Sequence, residues 1–171
     1  MQVVKKIFLG IFVIWIAFLA FMPKVELYYL LEKELAKYDV KLNEKSINEG
    51  IFSLSLNNIS LFGKGIHIAN IDKIEIITFL GYSKIVIDNI IFDELLKGQA
   101  PKKIDSINIV HSLESLMNIK IEADGSLGEV MGSVDLSKRE VRVNFSSINE
   151  LRNIKSFLKK DKKGWYYEKS F

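Results

Sequence analysis

The chain has 171 residues, enough for one domain of ordinary size plus a membrane anchor. Its formal charge is +3, and its lysines are scattered among acids, which excludes the massed basic segment of a nucleic-acid binder. It holds no cysteine, so disulfides, thiolate metal sites, iron–sulfur clusters and a cysteine nucleophile are excluded together.

Residues 7–22, IFLGIFVIWIAFLAFM, carry no charge and no strongly polar side chain. Ile7, Phe12, Trp15, Phe18 and Met22 are spaced along this run as an expected membrane anchor. As a helix it is about 24 Å long against a hydrocarbon core of about 30 Å, a gap that Lys5, Lys6 and Lys24 close by extending their stems towards the headgroups. Three readings compete for it: an uncleaved signal anchor, a cleaved signal peptide and a buried core helix. Cleavage needs small residues, and a cut after Ala20 puts Phe18 where one belongs. A core helix is a poor match to flanking lysines. The signal anchor is therefore expected, with Lys5 and Lys6 holding the N-terminus in the cytoplasm and the following domain across the membrane. This divides the chain into 1–22 (tail and anchor), 23–39 (juxtamembrane helix) and 40–171 (strand-rich domain).

Pro23 opens the second helical stretch, PKVELYYLLEKELAKYD, where a missing N–H does no harm. Leu27, Leu31 and Leu35 recur every four residues as its apolar stripe. That stripe suits either a helix on lipid or a partner, or more plainly a cap over one end of the domain.

After Asp39 the hydrophobic period changes from helical to alternating. VKLNEKSI is a first strand; IFSLSLNNISLF is a second, with Phe52, Leu54 and Leu56 on one face and Asn57-Asn58 permitting a bulge. Gly63 and Gly65 mark a turn, and IDKIEIITF, KIVIDNIIF, IDSINIV and MNIKIEADG follow as strands. Turns are expected at Gly81-Tyr82-Ser83 and Asp124-Gly125, with a short helical turn or loop over DELLKGQAPKK. GEVMGSVDLSKREVRVNF reads as an antiparallel hairpin: Val130, Gly132 and Val134 alternate with Met131, Ser133 and Asp135, Val141, Val143 and Phe145 alternate with Arg142 and Asn144, and Gly132 leaves space on the inner face. Ser147 is placed to cap a helix with Leu151, Ile154 and Leu158 as its stripe, and KKGWYYEKSF turns into an aromatic strand that closes the sheet.

No constellation for catalysis emerges. FGKGI lacks the phosphate-loop spacing, GSLGEVMG lies in a hairpin rather than before a helix, and no serine sits in a nucleophile elbow. His67 falls on the polar side of a strand and His111 at the end of one, as ordinary satisfied residues; Asp88, Asp93 and Glu94 bound a turn. Trp165, Tyr166 and Tyr167 read as edge packing. The expectation is a non-enzymatic protein with no metal, no cofactor and no nucleic-acid partner.

The order of a lysine-led anchor, P-K-V-E-L-Y-Y-L-L-E-K-E-L, then L-S-L-N-N-I-S-L-F-G-K-G, then A-D-G-S-L-G…M-G-S-V-D-L, resembles the N component of bacterial type II secretion systems and the broader AsmA-like envelope proteins. That resemblance implies a single-pass inner-membrane protein, mainly β (a β-rich α+β fold), with a curved antiparallel periplasmic sheet, one or two flanking helices and a place in a secretion or envelope complex. It implies no catalytic residue. Two functions stay open on it. One is a scaffold binding other envelope or secretion-system proteins through sheet edges or the Pro23 helix. The other is a carrier of lipid or another hydrophobic ligand, whose trough is formed by Phe52, Leu54, Val130, Val134, Val141 and Val143.

Overall fold

The computed structural model describes residues 2–162 and 164–171, with every side chain among them except those of 152–154. The side chain of Ile154 and all of Lys163 thus lie outside the described residues. Helix α1 spans Gln2–Phe21 and starts ahead of the uncharged run, taking Lys5 and Lys6 into its first turns. Its 20 residues rise about 30 Å, the thickness of a hydrocarbon core. None of them is buried. The helix is long and apolar enough to cross a membrane, a property that signal sequences share.

Helix α2, Lys24–Ala36, starts directly after Pro23. It ends through Asp39, whose φ of 59° lets the chain leave the helical path. Its sheet-facing side is not the leucine stripe expected from the sequence. Tyr28 is 4% exposed and Val25 packs beside it, while Leu27 and Leu31 are about half exposed and Leu35 half-buried. Tyrosine wins the inward position because its hydroxyl reaches a carboxylate across the interface, which a leucine cannot do.

The rest of the chain is one open antiparallel sheet of ten strands: β1 Val40–Glu49, β2 Ser53–Gly63, β3 Ile66–Phe79, β4 Tyr82–Phe92, β5 Lys103–His111, β6 Asn118–Gly125, β7 Val130–Asp135, β8 Glu140–Phe145, β9 Lys159–Asp161 and β10 Gly164–Ser170. The order is sequential from β1 to β8 and then β10-β9, so the aromatic last strand lies inside the edge and Lys159–Asp161 forms the edge. The fold class is the mainly β one that the alternating pattern foretold. Lys64-Gly65 and Leu80-Gly81 both have positive φ at two successive residues, the geometry that keeps the twist of a two-residue hairpin. The second of these turns falls one residue earlier than expected. Asp124-Gly125 stays in β6, and the turn is made beyond it at Gly128, φ 72°. The expected C-terminal helix is instead a 3-10 segment, Arg152–Phe157, running into β9; Ser147 caps only a local turn through Asn149 N–H at 3.5 Å.

A crease crosses four of these strands. In each, two core positions are separated by two residues rather than one: Leu56 and Ile59 on β2, Ile71 and Ile74 on β3, Ile87 and Ile90 on β4, Ile104 and Ile107 on β5. One extra residue reverses which side of a strand faces the core. The reversal is tolerated only if every paired neighbour reverses on the same line, and here it does. Ile59, Ile71, Ile90 and Ile104 pair in one row, and Leu56, Ile74, Ile87 and Ile107 in the next. Between the rows Asn58 (φ 51°) and Asn89 (φ 53°) take the left-handed conformation that asparagine tolerates better than branched residues. Asn89 Nδ2 donates to Asp72 Oδ2 at 2.6 Å, tying β4 to β3 along the crease. The line ends at β5–β6, where the register shifts between Ile104 and Ser106.

Candidate functional site

The same register builds an apolar surface over one face of the sheet. Leu54 pairs with Ile76, Ile76 with Ile85, Ile85 with Ile109, and Ile109 with Ile121. The row continues through Gly132 and Val143 to Tyr167. A second row runs from Ile47 through Leu56, Ile74, Ile87, Ile107, Ala123, Val130 and Phe145 to Trp165. Each row crosses the sheet with no charged side chain before its end. Val134 and Val141 pair beside these rows.

Helix α2 covers this surface mainly over β1 and β2. Beneath it Leu54, Leu56 and Ile59 are at most 4% exposed. Further along, Ile74, Ile85, Ile109, Ile121, Val130, Val134, Val141 and Val143 are half-buried. Phe52 sits before β2, where its ring meets that of Phe79 at 4.9 Å. Gly132 leaves no gap: an added Cβ would lie 3.1 Å from Ile121 Cβ, because Ile121 and Val143 lean over it.

At the far end the segment after β8 folds back onto the surface. Buried Leu151 approaches Ala123, Val130 and Phe145 around a cavity of about 280 Å³, also lined by Pro101, Ile104 and Leu127. Glu150 fastens this segment, accepting from Lys102 N–H at 2.7 Å and Ser126 Oγ at 2.6 Å; these donors hold its carboxyl below the usual range. The cavity approaches the lower size limit of small-molecule sites, and its lining is largely apolar. An apolar trough with covered ends can hold a hydrocarbon chain or the apolar face of another protein. No family model, curated protein or solved structure matches this chain.

The polar residues singled out in the sequence lie elsewhere. His67, on the opposite face, shares its ring nitrogens between Asp93 Oδ2 at 3.0 Å and Asn70 Oδ1 at 3.1 Å. Asp93 Oδ1 accepts from Leu95 N–H at 3.0 Å, closing the short turn after β4. His111 Nε2 meets Leu116 O at 3.0 Å. Among the described residues, no group of three or more His, Asp or Glu could hold a metal ion.

Sequence reading named Leu54, Val130, Val134, Val141 and Val143 but missed the middle of the trough at Ile76, Ile85, Ile109 and Ile121. It also missed the crease, although a signal was present. An aliphatic residue, an Asn or Asp, one further residue and Ile recur as L-N-N-I at 56, I-D-K-I at 71, I-D-N-I at 87 and I-D-S-I at 104, every 15 to 17 residues.

Proposed function

We propose that this chain is a non-enzymatic, single-pass inner-membrane protein whose periplasmic sheet holds an apolar ligand, the acyl chains of a lipid, along its inner face. The observation that carries this reading is the apolar ladder from Leu54 to Tyr167, roofed by a helix mainly at its first strands. A row of isoleucines this long normally packs under a second layer; without one, its half-buried side chains gain from any hydrocarbon laid along them, at ~25 cal/mol per Å² removed from water. Lys5 and Lys6 favour the cytoplasm for the preceding tail, which sends the sheet to the periplasm.

The decisive experiment is photocrosslinking from Ile109 in the full chain expressed in membranes. A benzophenone side chain at Ile109 is expected to capture phospholipid. Ile109→Lys should lower co-purifying phospholipid by at least about tenfold, the effect of only ~1.4 kcal/mol. Capture of protein alone, with lipid content unchanged in Ile109→Lys, would sink the lipid reading.

A second reading has its own support. β1 is a ten-residue edge strand, paired on one side only, and its free N–H and C=O groups could be completed by a partner strand. This is the scaffold function implied by the resemblance to secretion-system and AsmA-like envelope proteins, and a crosslink from Lys45 to an envelope protein would favour it.

A further inference from the structure

The start of α2 is fixed to one end of the sheet. Lys24 donates to Glu49 Oε1 from its backbone N–H at 3.3 Å and from Nζ at 3.5 Å, and Glu49 is the last residue of β1. Phe21, the end of α1, is three residues away, so the chain can separate it from Lys24 by at most about 11 Å. In a sequential antiparallel sheet the connections β1–β2, β3–β4, β5–β6 and β7–β8 all lie at the end where β1 finishes.

These connections are apolar where exposed loops are ordinarily polar. Ile51, Phe79, Leu113, Leu116, Met117 and Leu136 lie in or beside them, each between 38 and 66% exposed. The connecting residues 50–52, 80–81, 112–117 and 136–139 carry three charges, Glu114, Lys138 and Arg139. The opposite end also exposes Leu95, yet there residues 93–102 alone carry Asp93, Glu94, Lys97 and Lys102. Sparse charge and large apolar side chains at successive loop tips are features of a surface that meets lipid.

We propose that these tips dip into the headgroup region of the membrane that holds α1, so that the sheet stands on its end with the trough opening against the bilayer. The inference rests on α1 being an anchor, as proposed above, and adds that the folded domain touches the same membrane directly. Apolar tips a few ångströms into the interface also give a lipid a path into the trough without crossing water.

The chain's lack of cysteine permits a clean test. Full-length Leu116→Cys, Leu136→Cys, Leu95→Cys and Phe12→Cys are each labelled with nitrobenzoxadiazole and reconstituted into phosphatidylethanolamine–phosphatidylglycerol vesicles. Circular dichroism first confirms that each retains the strand signal; Leu116 and Leu136 lie on different connections, so one perturbed loop does not decide the result. The expected result is loss of emission to nitroxide-bearing lipid at Phe12, Leu116 and Leu136, with Leu95 quenched only by aqueous iodide. If Phe12 is quenched by lipid while Leu116 and Leu136 behave like Leu95, the tips do not insert, although the anchor stands. If Phe12 is itself quenched by iodide, the anchor reading falls and takes this inference with it.

Discussion

Tyr28 on α2 donates its hydroxyl to Glu44 Oε2 on β1 at 2.8 Å, while its ring belongs to the same buried cluster as Leu54, Leu56 and Ile59. Burial first, then the Glu44 carboxylate, pushes the phenol well above its usual value, so it stays neutral and remains a donor. This contact joins the helical roof over the sheet's first strands to the strand beneath it.

Removing the hydroxyl and removing the ring should therefore have separable effects. Tyr28→Phe is expected to cost about 1 kcal/mol, the net value of one hydrogen bond. Tyr28→Ala should cost about 3–5 kcal/mol and release α2 from the sheet. Thermal unfolding of the full chain in detergent measures the first difference. Hydrogen exchange across residues 24–36 checks the second, and unchanged protection there in Tyr28→Ala would show that α2 is held by something else.

The crease makes a residue-specific prediction. At Asn58, φ 51°, glycine should be tolerated with little loss, whereas valine should cost about 1–2 kcal/mol for a left-handed branched residue. Ser55, one strand step from the line and at an ordinary position, is the control: Ser55→Val should change stability far less. Equal midpoints for the Asn58→Gly and Asn58→Val chains would contradict a left-handed residue at that position.

His67 carries a pH dependence whose direction follows from its partners. The Asp93 carboxylate first, and Asn70 second, hold the imidazole above its ordinary value of 6.5, and both ring nitrogens face oxygen acceptors, which suits the doubly protonated ring. A histidine raised in the folded state contributes stability that is fully present below about 6.5 and fades as pH rises through the folded value. Asp93 shifts the other way, chiefly through Leu95 N–H and then His67, so its share is lost only as pH falls through its lowered value. The gap in melting temperature between the native chain and His67→Gln should therefore be larger at pH 5.5 than at pH 8.5. A gap that widens with rising pH would refute the pairing.

Several features were legible in the residues alone. An uncharged run of aliphatic and aromatic side chains reads as a helix for lipid, a signal sequence or a core helix, and alternation from Val40 onward reads as a layer with two unlike faces. Both are local periodicities, visible without knowing what lies opposite. The hairpin of Val130–Asp135 with Glu140–Phe145 was readable for the same reason, its two halves being adjacent in sequence.

What only the tertiary structure decided depends on pairing between distant residues. Leu27 and Leu31 fit a buried stripe as well as Val25 and Tyr28 do, and the choice was made by Glu44, sixteen residues beyond Tyr28. Leu151 and Leu158 have helical spacing, yet the chain there spends its hydrogen bonds on a 3-10 segment and on β9 pairing with β10. The trough itself is a property of register: Ile76, Ile85, Ile109 and Ile121 form one surface because three separate pairings align them, and the crease keeps that alignment by reversing four strands on one line. Side-chain alternation states that a strand has an apolar face; which faces join, and what covers them, is settled by contacts that close over the whole fold.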